Sequence, residues 1–126
     1  MNAMLSAALA IVLWQLAFCG GVAAQTKGDA DAGKVKYQTL CAGCHGNSGK
    51  GDGPAAGGLN PKPADLSDAS YYQKVNDNYL VEIIKEGGSK VKKSPLMPAW
   101  RGALSDKDIS NVIAYLRSLP ARKSPQ

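Results

Sequence analysis

Cys41-Ala42-Gly43-Cys44-His45 is the stretch on which the fold of this chain turns. It holds two of the three cysteines and the only histidine among 126 residues. A shuffled chain of this composition would contain C-x-x-C-H with a probability of about one in three thousand, so the spacing asks for a chemical explanation. A redox-active C-x-x-C follows an apolar strand in a βαβ setting. Here the lead-in Lys34-Val35-Lys36-Tyr37-Gln38-Thr39-Leu40 is helical in pattern. A structural zinc site takes four ligands, and only three Cys or His lie beyond residue 24. The spacing instead matches attachment of c-type haem. Two thiols add to the two vinyl groups as thioethers, and His45, on the same turn, is placed under the iron as proximal ligand.

A six-coordinate haem needs a second axial ligand, and no second histidine exists. Met97 is the one methionine beyond residue 24 and sits in Ser94-Pro95-Leu96-Met97-Pro98-Ala99-Trp100. Two prolines make this segment a loop and stiffen the backbone on both sides of the sulfur. Met97 is therefore expected as the distal ligand, and a neutral thioether raises the potential relative to a second imidazole. The alternatives are an open iron or a lysine ligand from Lys90, Lys92 or Lys93.

Working outward, Asp29 to Leu40 opens with two acids that suit a helix N-terminus and offers Val35, Tyr37 and Leu40 as its larger apolar groups. The glycine-rich run from Gly46 to Gly58 has no apolar periodicity and reads as a loop bringing backbone close to the haem edge. An extended segment follows, where Leu59 and Leu66 are expected against the porphyrin. A carbonyl of Pro61 or Pro63 is the candidate acceptor for the ring N–H of His45. Asp68 to Lys74 suggests a short helical turn. Asp77 to Glu86 places Leu80, Ile83 and Ile84 at helical spacing before a glycine stop. The last helix starts at Ser105, where Ser105 and Asp108 have capping-box spacing. Ile109, Val112, Ile113, Leu116 and Leu119 form one apolar stripe that ends at Pro120. Ala121 to Gln126 reads as a frayed polar tail.

Residues 1–24 carry no charge, and 19 of the 24 are hydrophobic. Small residues at Val22 and Ala24 fit a cleavage site, so the expectation is a signal peptide removed after Ala24, leaving one domain over 25–126 in the periplasm. The same run also reads as an uncleaved membrane anchor, a lipid-modified Cys19 or a core helix. The remaining residues are thin in large apolar side chains, which excludes a large multidomain enzyme and leaves room for a bound group to fill the interior.

The formal charge is +5, with every charged residue beyond Ala24. Lys90, Lys92 and Lys93 precede the methionine loop and Arg101 follows it. They are a solvated loop or a basic rim that steers an acidic redox partner. No base-stacking pattern points to nucleic acid.

These residues resemble the class I c-type cytochromes over roughly Ala30 to Leu119. The carriers are Gly33 and Tyr37, the Cys41–His45 motif, Gly46, the Gly49-Lys50-Gly51-Asp52-Gly53-Pro54 run, Leu96-Met97-Pro98 and Val112 to Leu119. The resemblance implies an all-α fold of three main helices around one covalently attached haem c, with the first and last helices crossing at Gly33 and Tyr37 against Tyr115. It implies single-electron carriage between protein partners, with no small-molecule substrate and no catalysis of its own. The alternatives are a haem c subunit of a larger periplasmic dehydrogenase or terminal oxidase complex, membrane-associated in that case, and an open-iron ligand-binding haem protein.

Overall fold

The computed structural model describes residues 27–122, and the expected signal segment, 1–24, lies outside them. Five helices follow in order: α1 Ala30–Leu40, α2 Ala42–His45, α3 Ala69–Lys74, α4 Asp77–Glu86 and α5 Asp106–Ser118. Short 3₁₀ turns separate some of them, and no strand occurs among the described residues. The fold is the all-α class with α1, α4 and α5 as its three long helices.

The helices begin where the sequence supplies oxygen caps. The Asp29 carboxylate accepts from the amides of Asp31 and Ala32 at 2.9 and 3.2 Å. Asn76 accepts from Tyr79 at 2.9 Å. Ser105 and Asp108 complete the capping box, with Asp108 N–H donating to Ser105 Oγ at 3.1 Å and Ser105 N–H to Asp108 Oδ2 at 3.0 Å. Each satisfies amides that a helix start leaves without partners.

α1 and α5 cross at the centre of the molecule. A Cβ on Gly33 would run into the Asn111 carbonyl, so the crossing is backbone on backbone and only glycine permits it. One turn on, the Tyr37 and Tyr115 rings lie 5.1 Å apart and tilted by 55°. The expected contact is present, with one polar member added: buried Asn111, whose Oδ1 accepts the Asp29 amide at 2.8 Å. The α5 stripe of Ile109, Val112, Ile113, Leu116 and Leu119 is buried in full, each side chain contributing about 1.5–3 kcal/mol. Leu80 and Ile84 of α4 join it.

Three expectations change. Val35 is 64% exposed and outside the core, because it lies two residues from both Gly33 and Tyr37, roughly 200° around the helix from the face they bury. Ile83 is only half-buried, packed against the core rather than within it. The tail from Ala121 begins ordered: Pro120–Arg122 is a 3₁₀ turn in which Arg122 donates to Ser118 Oγ at 3.0 Å and lies over the Tyr115 ring.

Candidate functional site

α1 ends at Cys41, whose amide donates to Tyr37 O at 2.8 Å, and the chain turns at once into α2. Cys41, Cys44 and His45 therefore sit on one turn, with the cysteines at i and i+3 facing the same side. Buried Ala42 anchors the turn to the core, and the two cysteines are half-exposed free thiols. Nothing lies within 4 Å of a Cβ built on Gly43, so that position is sterically free.

The glycine-rich loop folds back onto this turn. Ala55, Gly53 and Gly51 donate to the carbonyls of Gly43, Cys44 and His45 at 2.9, 3.2 and 2.9 Å. Gly46 O accepts from Gly49 N–H at 3.1 Å and from the buried Tyr37 hydroxyl at 2.7 Å. The carbonyls a helix end leaves orphaned are thus taken up one by one. The close approach expected of these glycines is made to the motif itself: a Cβ on Gly53 would meet the Gly43 and Ala42 carbonyls.

His45 Nδ1 is buried and has no hydrogen-bond partner. Burial lowers the imidazole pKa, opposed by the backbone of Ala64, so the ring is held neutral, as a metal ligand must be. Neither expected proline carbonyl reaches Nδ1. A Cβ on Gly51 would meet the Pro63 carbonyl, and it is the Ala64 backbone that raises the imidazole pKa against burial.

Burial and the adjacent Cys44 push the Cys41 thiol up to about 11. A redox-active pair needs a lowered value, so the motif is a poor thiol oxidoreductase. Among the described residues no three of His, Cys, Asp and Glu gather to hold a metal ion, so the zinc reading lacks a ligand set.

Met97 lies in the expected loop. It is half-buried against the same core cluster that Cys41 borders, and that cluster is what joins the two. The loop rests on Gly87 and Gly88: Gly88 N–H donates to Met97 O at 3.0 Å, and Trp100 N–H to Ile84 O at 3.0 Å. Leu96 beside it is 62% exposed. Leu59 is half-exposed, and Leu66 is buried within the protein's own core. Lys90, Lys92 and Lys93 are exposed and form no ion pair among the described residues, whereas Arg101 pairs with Glu86 at 2.6 Å.

The residues fit the cofactor that the sequence implies. Two free thiols and a neutral imidazole share one turn, Nδ1 is an orphaned buried nitrogen, and Leu40, Tyr71, Tyr79, Ile83, Met97 and Trp100 leave the core rimmed with half-buried apolar surface. Neither Asn111 nor the support that Gly87 and Gly88 give Met97 is visible in composition or spacing.

Comparison with known proteins agrees. Residues 28–116 match the family described as cytochrome c oxidase, cbb3-type, subunit III. The chain is 32% identical over 94 residues to cytochrome c-554(547) of Halothiobacillus neapolitanus, covering 73% of this chain and 98% of that one. It is 32% identical over 91 residues to cytochrome c-554(548) of Halomonas halodenitrificans, covering 72% and 96%. It is also 32% identical over 95 residues to the cbb3-type oxidase subunit FixP of Bradyrhizobium sp. (strain ORS 278), covering 75% of this chain and 29% of that protein. The chain thus spans less than a third of the length of the cbb3 subunits it matches. No helix among the described residues is long and apolar enough to cross a membrane. Shared family, helical fold and motif lead to one conclusion: the chain belongs to the c-type cytochromes of the cbb3 subunit III family, electron-transfer proteins that carry covalently bound haem c.

Proposed function

We propose that the chain is a single-electron carrier of the periplasm in which Cys41 and Cys44 form the two thioethers and His45 and Met97 are the axial ligands. The observation that carries this is the single turn holding both thiols and an imidazole whose Nδ1 is buried and whose pKa burial lowers. Bound haem c supplies the ferric–ferrous couple. The protein's share is to hold His45 by a loop that ties down its carbonyl, to present the Met97 sulfur from a proline-flanked loop, and to keep water out with the α5 stripe. Residues 1–24 act as the export signal, or as an anchor facing the periplasm, with 25–126 as the carrier domain. Lys90, Lys92 and Lys93, free of ion pairs among the described residues, form the rim that meets an acidic partner. Docking then slows as salt rises.

Denaturing electrophoresis tests the attachment. Haem stain should persist in the natural protein and vanish in the Cys41→Ser, Cys44→Ser double variant; haem released by acid acetone from the natural protein would overturn it. Carbon monoxide tests the ligand set: the reduced natural protein should resist it, whereas Met97→Ala should bind it and show a lower midpoint potential. Binding by the natural protein would favour the open-iron reading.

The match to cbb3 subunits favours a second reading, a haem c subunit of a terminal oxidase complex. Co-purification with an oxidase from solubilised membranes at native abundance supports it; recovery as a free protein supports the carrier.

A further inference from the structure

Gly87 and Gly88 follow α4 and face the methionine loop. Gly87 adopts φ +83, and a Cβ there would stand 2.9 Å from Met97 O and 3.0 Å from Ala99 N. A Cβ on Gly88 would collide with the Ser94 carbonyl and lie 3.3 Å from Met97 Cβ. That same Ser94 carbonyl accepts the Met97 amide at 3.2 Å, closing the turn that presents the sulfur. The Met97 carbonyl in turn accepts Gly88 N–H at 3.0 Å, and Lys93 N–H donates to Gly88 O at 2.8 Å. Both ends of the Ser94–Met97 turn therefore bear on one bare backbone unit. No side chain can be added at Gly88 without moving Ser94, and Ser94 carries Met97 with it.

We infer that Gly88, with Gly87, is the positioning element that fixes the Met97 sulfur, so that the close approach of these two glycines to the loop sets how readily Met97 is displaced. This rests on the reading of Met97 as axial ligand. A ligand that must wait for the loop to open binds in proportion to the open fraction. A residue that sets the open fraction therefore sets the apparent affinity, independently of global stability.

The test is the affinity of the ferric holoprotein for added imidazole. Gly88→Ala should raise it by about tenfold or more as the open fraction grows, and Met97→Ala should raise it further. Ser105→Ala, which removes the α5 cap outside the Ser94–Met97 turn, should lower the unfolding midpoint and leave imidazole affinity as in the natural protein. If Met97→Ala leaves the affinity unchanged, the ligand reading fails. If Met97→Ala raises it and Gly88→Ala does not, or Ser105→Ala raises it equally, the positioning role fails. Hydrogen exchange on the natural holoprotein covers the case in which Gly88→Ala does not fold. Saturating imidazole should strip protection from the Gly88 amide while the Cys41 amide, bonded to Tyr37 O, keeps it; a Gly88 amide that stays protected overturns the inference.

Discussion

The two sides of the site are built in different ways. On the His45 side, four consecutive carbonyls from Gly43 to Gly46 are each met by a donor, all drawn from residues 37 to 55. On the Met97 side, the loop hangs from α4 by a few backbone bonds and one exposed ion pair, with Leu96 open to solvent. The first side is closed by neighbours in sequence and buried donors. The second depends on two glycines and a surface contact. On the proposed ligand set, a site built so unevenly should lose Met97 before His45, since local opening concentrates where buried contacts are few.

The comparison breaks most directly at Gly51. It adopts φ +74, and a Cβ there would strike the Pro63 carbonyl. Left-handed backbone and overpacking together give an expected loss of about 3 kcal/mol for Gly51→Ala, read by denaturant unfolding of the holoprotein. A loss well under 1 kcal/mol would mean that the glycine loop does not grip the His45 turn.

Tyr37→Phe is a gentler probe of the same side. It removes the buried 2.7 Å bond to Gly46 O. That carbonyl keeps the Gly49 amide, so the expected cost is about 1 kcal/mol rather than the full penalty of an unsatisfied group. The unfolding midpoint should fall while imidazole affinity holds. A rise in affinity would show that the two sides open together.

This asymmetry also explains what the amino-acid sequence revealed and what it hid. The C-x-x-C-H spacing, the α5 stripe and the Ser105–Asp108 cap are local patterns, legible because the partners are a few residues apart. Val35 is apolar yet exposed because Gly33 sets the buried face of α1 through contact with a helix about 80 residues away in the chain. Asn111 looks like an ordinary polar interruption until α1 delivers the Asp29 amide to it. Gly87 and Gly88 read as a helix stop, and they are one; their second task appears only once the loop from Ser94 lies on them. Beside His45 it is the Ala64 backbone, one residue past Pro63, that acts on the ring. The missing pieces are contacts made where the chain folds back on itself, whether over about 80 residues or within ten, for which composition and spacing carry no signal.

A smaller effect sharpens the comparison from the Met97 side. Arg101 is 65% exposed, so its pair with Glu86 is worth about 0.5 kcal/mol or less. Arg101→Gln, or salt at roughly 1 M where the Debye length is about 3 Å, should speed exchange of the Arg101 amide bonded to Lys85 O. The Gly51 amide, bonded to His45 O, should not respond. Equal responses would mean that the ion pair braces the whole domain rather than one loop.

The least effect belongs to a place on neither side, the cap of α5. The Ser105 hydroxyl, then its backbone amide, and then Lys36 hold the Asp108 carboxyl below its ordinary 3.8. Between the folded value and 3.8 the folded chain binds fewer protons than the unfolded one, so this contribution is complete above 3.8 and is lost as pH falls through the folded value. Acid unfolding should therefore carry a small slope below pH 3.8 that Ser105→Ala reduces. Lys36, 3.3 Å from Asp108, stands on α1 one residue ahead of Tyr37. The same helix start meets α4 through Lys85, 2.7 Å from Asp106, so acid loosening at this cap reaches both the helix that leads into Cys41 and the helix that carries the Met97 loop. A change confined to the amides of one side on acidification would show that only one of the two contacts carries it.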